Sequence, residues 1–164
     1  MTAESRTFSY NGNSQLIVPA ERGEFPVLQQ WILSIAAELD IQERIKKQLM
    51  ISCDEIFTNI ASYAYPDGNG SVAVAIEFLS QTQCLRIIFS DSGIAFNPLQ
   101  EISEPDTGSA LSERKIGGLG MFMVKKMMDS IEYCRKDGKN ILTVGNIPIC
   151  STDCCHISNS ISHF

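Results

Sequence analysis

Hydrophobic residues recur along this chain with two periods, and the switches between them mark its elements. From Glu24 to Leu39, the residues Phe25, Leu28, Ile32, Ile35 or Ala36 and Leu39 form one stripe at helical spacing, with Pro26 suited to a first turn. Asp40 breaks that pattern and is expected to cap a longer helix from Ile41. In this second helix Ile45, Leu49, Cys53, Ile56 or Phe57, Ile60 and Ala64 give a buried face, and Pro66-Asp67-Gly68-Asn69-Gly70 ends it with a strong turn signal. The period then changes to two. Val72, Val74, Ile76 and Phe78 alternate through a strand over Ser71 to Leu79, and Cys84 to Ser90 predicts a more continuously apolar antiparallel partner. Upstream, Thr7 to Tyr10 and Gln15 to Val18 predict two short strands around Asn11-Gly12-Asn13. Near the end, Ile131 to Arg135 and Asn140 to Val144 flank Lys136-Asp137-Gly138-Lys139, a hairpin signal.

Some polar positions interrupt these patterns. Glu55 and Asn59 are four apart on the long helix, so one sits above the other on one face, and Ser52 and Ser62 extend the stripe. A carboxamide oxygen there can ligate a hard cation, and a carboxylate can orient or deprotonate an attacking hydroxyl. An ordinary solvated face is the simpler reading of this pair alone. Asp91-Ser92-Gly93 follows the second apolar strand. It is either a turn or an acceptor for an exocyclic amine beside a glycine that lets a flat ring approach. Leu99 to Ile116 has no period and the length of a functional lid. It leads into Gly117-Gly118-Leu119-Gly120 and an apolar helical run, where glycines opening a helix can turn backbone N–H groups toward an anion. The methionines of that run, Met121, Met123, Met127 and Met128, read as core, and Lys125 and Lys126 as solvated.

Composition narrows the class. A length of 164 residues suits one domain, and 44% hydrophobic with 20% charged residues is ordinary for a globular protein. A net charge of −6 argues against direct nucleic-acid binding and against an anionic membrane as the main partner. No apolar run reaches the ~18 residues of a membrane span, and no signal peptide is visible, so a cytoplasmic location is expected. Reduced cysteines fit that compartment, with Cys53, Cys84 and Cys134 expected to be small buried hydrophobes.

Taken in order, helical Glu55/Asn59, then Asp91-x-Gly93, then a lid and Gly118-Leu119-Gly120 resemble the N, G1 and G2 boxes of the GHKL ATPase superfamily. Within it the segments DEIFTNIASYAY, FSDSGIAFNP and GGLGMFMVKKMMDSIEYCRKDGKNILTV look most like the stand-alone anti-sigma factor serine kinases. The resemblance implies an α/β two-layer sandwich, with helices on one face of a mixed, mostly antiparallel sheet, in one ATP-binding domain over residues 1–146. It implies ATP and Mg²⁺ as cofactors, Glu55 as the catalytic base, Asn59 as the metal ligand, Asp91 on the adenine amine and Gly93 shaping that pocket. Gly118, Leu119 and Gly120 would meet the phosphates, and Arg114 or Lys115 the γ-phosphate from the lid. The implied partners are a sigma factor, held inactive, and a STAS-type anti-anti-sigma protein, phosphorylated on serine; a homodimer is implied as well.

Two departures stand out. Some relatives carry a His shortly after the Asn, where this chain has Ser62-Tyr63. Residues 147–164 match nothing recognisable and are expected not to join the core; Cys150, Cys154, Cys155 and His156 within them are a weaker metal-site candidate. Two rival functions remain. An ATP-gated binding protein would sequester its partner without turnover. A histidine-kinase catalytic domain needs a phosphoacceptor His on dimerisation helices, whereas the only histidines are His156 and His163.

Overall fold

In the computed structural model of the chain, residues 13–100 and 119–146 are described. They form strand β1 (Asn13–Pro19), a 3₁₀ turn (Arg22–Glu24), helix α1 (Phe25–Glu38), helix α2 (Glu43–Tyr63), strands β2 (Ser71–Leu79) and β3 (Cys84–Asp91), helix α3 (Leu119–Met127), and strands β4 (Ser130–Lys136) and β5 (Lys139–Asn146). The sheet order is β1-β2-β3-β5-β4. All pairings between these strands are antiparallel, in keeping with the expected mostly antiparallel sheet.

The helices cover one face of the sheet, and the sequence shows why. Helix α1 buries Leu28, Trp31, Ile32, Ile35 and Ala36, and α2 buries Ile45, Leu49, Cys53, Ile56 and Phe57. These pack with Val18, Val72, Val74, Ile76, Ile87, Phe89, Leu142 and Val144 in one core. Phe25 and Phe57 rings meet at 6.0 Å across the α1–α2 junction. Burial pushes the Cys53 thiol far up from its ordinary value, so it behaves as a small hydrophobe.

Several expectations need correction. Asp40 does not cap α2: it adopts a positive φ of 50° after α1, and the helix begins at Glu43 behind Gln42, which makes no side-chain cap. The left-handed residue turns the chain sharply, a role open to Asp because its short polar side chain tolerates that conformation. Ser52 is not on the polar stripe. It is fully buried, and its hydroxyl has no hydrogen-bond partner among the described residues. Three residues before Glu55, it falls on the core side of the helix. Cys134 is exposed, because β4 is an edge strand and its outward positions face solvent. Met121 and Met128 are buried as expected, whereas Met123 is 41% exposed. The proposed strand Thr7 to Tyr10, the lid and the tail from residue 147 lie outside the described residues.

The β4–β5 hairpin turns at Asp137 (φ 51°) and Gly138 (φ 78°), two successive left-handed residues that match the twist of the flanking strands. This turn sets the register that builds the site. Val18, Val72, Asp91, Asn140 and Arg135 lie opposite one another in a single row across all five strands.

Candidate active site

A cleft opens between α2, α3 and the β3–β5–β4 side of the sheet. It is lined by apolar Ile56, Ile60, Phe96, Met121 and Leu142, with polar groups from Asn59, Asp91, Tyr133 and Asn140. Apolar walls with a few convergent polar groups are the usual form of a small-molecule site.

At its inner end the sheet row delivers Asp91, which is 5% exposed. Asp91 Oδ1 accepts from the Gly93 backbone N–H (2.9 Å) and from Asn140 Nδ2 (2.9 Å). Gly93 is required by space: a Cβ there would run into the carbonyl and Cβ of Ala64 at the end of α2. The Ile94 N–H donates to that same Ala64 carbonyl at 2.9 Å, so the loop lies flat on the helix end. Tyr65 fixes it from the other side. Its hydroxyl accepts from the Ser92 N–H (2.9 Å) and donates to the Ser71 carbonyl (2.8 Å), while its ring occupies the space over Gly70.

The long helix presents Asn59 to the cleft and Glu55 one turn before it, both half-buried. Asn59 Nδ2 donates to Glu55 Oε1 at 2.9 Å. That bond leaves the Asn59 carbonyl oxygen available to a cation. A Cβ on Gly120 would collide with the Glu55 carboxylate, so the first turn of α3 lies directly against it. Ser62, the next polar residue along α2, donates to the Thr58 carbonyl and accepts from the Arg22 guanidinium (2.8 and 3.1 Å).

Of the residues singled out in the sequence, Asn59 and Asp91 line the cleft; Glu55 is bonded to Asn59, Gly93 to Asp91, and Gly120 lies against Glu55. Leu119 opens α3 with its side chain 58% exposed. Arg114, Lys115 and Gly118 lie outside the described residues. Reading the sequence alone missed Asn140, Tyr133 and Arg135. One signal was present: Asn140 is a polar residue at the head of an inward series continued by Leu142 and Val144.

Residues 18–145 match the histidine kinase-like ATPase domain family. This chain belongs to that family. Among its relatives, the serine/threonine-protein kinase BtrW of Bordetella bronchiseptica is 28% identical over 114 residues, 70% of this chain and 79% of that protein. The serine-protein kinase RsbW of Listeria monocytogenes is 27% identical over 111 residues, 66% of this chain and 70% of that protein. The crystal structure of the RsbU and RsbW domains of a Mycobacterium tuberculosis protein superposes with a TM-score of 0.57 at 13% identity. That match covers 82% of this chain and 32% of the longer one, and it shows the fold shared by this histidine kinase-like ATPase domain. Among the described residues, no helix is long and apolar enough to cross a membrane.

Proposed function

We propose that this chain is an ATP-dependent serine protein kinase and anti-sigma factor, which phosphorylates a STAS-type anti-anti-sigma protein and sequesters a sigma factor in the cytoplasm. One observation carries the reading. A cleft with apolar walls holds an oriented carboxylate, Asp91, and also Asn59, whose amide is bonded to a second carboxylate, Glu55. Membership in an ATPase family and relatives named serine-protein kinases support it.

In this reading Asp91 accepts the exocyclic amine of adenine, and Gly93 lets the ring lie against the end of α2. The phosphates run toward Glu55 and the backbone of Gly118, Leu119 and Gly120, with Arg114 or Lys115 of the lid at the γ-phosphate. Glu55 orients the serine hydroxyl of the incoming protein and takes its proton as the γ-phosphoryl group transfers. Asn59 would hold Mg²⁺ through its carbonyl oxygen, which the bond from its amide nitrogen to Glu55 leaves facing away from that carboxylate, a fit because such ions take few protein oxygens. When bound, the ion neutralises phosphate charge.

The test is direct. The protein is incubated with Mg-ATP and a STAS-domain protein encoded near it, and the partner is weighed. A gain of one phosphate on a serine is expected. ATP-dependent complex formation with no mass gain would favour a binding protein without turnover.

A further inference from the structure

We infer that Asn140 is the positioning residue that sets the base selectivity of the cleft, by holding the Asp91 carboxylate in the orientation that leaves one oxygen open to the ligand. The inference rests on the nucleotide reading above.

Asn140 is 5% exposed, and every polar atom of its side chain is engaged. Its Oδ1 accepts from Tyr133 Oη (2.9 Å), Arg135 NH1 (2.7 Å) and the Phe96 N–H (3.4 Å). Its Nδ2 donates to the Ile94 carbonyl (2.8 Å) and to Asp91 Oδ1 (2.9 Å). The orientation of the amide is forced. Arginine and a backbone N–H can only donate, so the oxygen must face them and the NH₂ must face Asp91.

The consequence falls on Asp91. Among the described residues, both of its protein donors, Gly93 N–H and Asn140 Nδ2, converge on Oδ1. Oδ2 is then the acceptor left for a ligand amine. The same amide ties the loop carrying Gly93 and Ile94 to β5, and Arg135 repeats the tie through the Gly93 carbonyl (3.3 and 3.4 Å). Asn140 thus acts on the base through Asp91, and Tyr133 and Arg135 act through Asn140.

The discriminating measurement compares two ligands that differ by one amino group. ADP and purine riboside 5′-diphosphate are titrated by calorimetry, with Mg²⁺, into wild type and Asn140→Leu. Wild type is expected to prefer ADP. Asn140→Leu should weaken ADP by roughly 3- to 10-fold, since it acts on the base only through Asp91, and leave the des-amino ligand nearly unchanged. Should the leucine variant not fold, Tyr133→Phe/Arg135→Met removes two donors from partly or fully exposed side chains, and a smaller loss of the same preference is expected. An equal loss for both ligands, or an unchanged preference in both variants, would overturn the positioning role. Absence of ADP binding by wild type would instead overturn the nucleotide reading itself.

Discussion

At the base end of the cleft, Asp91, Asn140, Gly93 and Ile94 are locked by a hydrogen-bond web that closes through Tyr133 and Arg135, and Asp91 and Asn140 are almost wholly buried. At the Glu55 end, the carboxylate has one described hydrogen bond, from Asn59, and a glycine against it. The first region is organised before any ligand arrives. The second offers two side chains of one helix, which on the proposed function the nucleotide and the protein substrate would complete. Preorganised polar groups govern how tightly a ligand is held, whereas a group that acts on the reacting atoms governs turnover. Substitutions at the two ends should therefore separate affinity from rate.

The largest effect is expected at Glu55. On the proposed function, Glu55→Ala removes the carboxylate assigned to orient the serine hydroxyl and should slow single-turnover transfer to a STAS-domain protein by roughly 10²- to 10⁴-fold. ADP affinity should change little, because Asp91 and Asn140 do not touch Glu55. Loss of nucleotide binding with normal transfer per bound ATP would reverse the roles of the two ends.

A pair of glycines sharpens the contrast. A Cβ on Gly93 would meet the Ala64 backbone, which cannot give way without moving the end of α2. A Cβ on Gly120 would meet first the flexible end of the Glu55 side chain. Gly93→Ala should thus weaken ADP binding by roughly 10-fold or more by shifting the loop that carries its hydrogen bonds. Gly120→Ala should displace the Glu55 carboxylate, cutting transfer while ADP affinity falls less. Calorimetry beside single-turnover assays reads both. Similar losses of affinity in the two variants would show that the ends are not separable.

How much of this contrast was legible in the sequence follows from the range of the contacts. Glu55 and Asn59 are four residues apart on one helix, so their pairing is a local consequence of helical geometry and could be read directly. The β2 alternation and the Asp137-Gly138 turn are equally local, and both elements form where the pattern places them. Asp91 and Asn140 are 49 residues apart. Their encounter depends on β3 pairing with β5 rather than β4, and on a register that a one-residue slip would reverse. No local period encodes that choice. Asp40 failed for a different reason: the same short polar side chain suits an N-cap and a left-handed turn, and tertiary packing of α1 on α2 decided between them. Cys134 was misread because edge position, invisible in a single strand, exposes an otherwise apolar site.

A smaller loss of affinity should follow from Asp91→Asn. The substitution keeps the shape and one acceptor but removes the charge and places an NH₂ in the web. If that NH₂ takes the outward position, it faces the ligand amine donor to donor. A loss of about 10-fold in ADP affinity is expected by calorimetry, with Glu55-dependent transfer at saturating ATP largely kept. A drop in saturated transfer as large as that of Glu55→Ala would show that Asp91 reaches the reacting end.

The smallest effect should come from Tyr65, which lies beyond the cleft on the far side of the same loop. Its hydroxyl joins the Ser92 N–H to the Ser71 carbonyl, and its ring fills the space over Gly70. Tyr65→Phe keeps the ring and deletes only the bridge. Ser92 is exposed, so water can replace the lost acceptor, and the net cost should be about 1 kcal/mol. For a chain of this size that corresponds to a fall in melting temperature of roughly 2–4 °C. ADP binding should decline by only a few-fold, since Gly93 and Ile94 remain tied to Ala64 and Asn140. Bound ADP should recover most of the lost stability by holding the loop from the cleft side. Thermal melts with and without ADP test this. A fall much larger than this range, unrelieved by ADP, would mean that Tyr65 supports the sheet edge as a whole and that the order of the base end does not stop at Asn140.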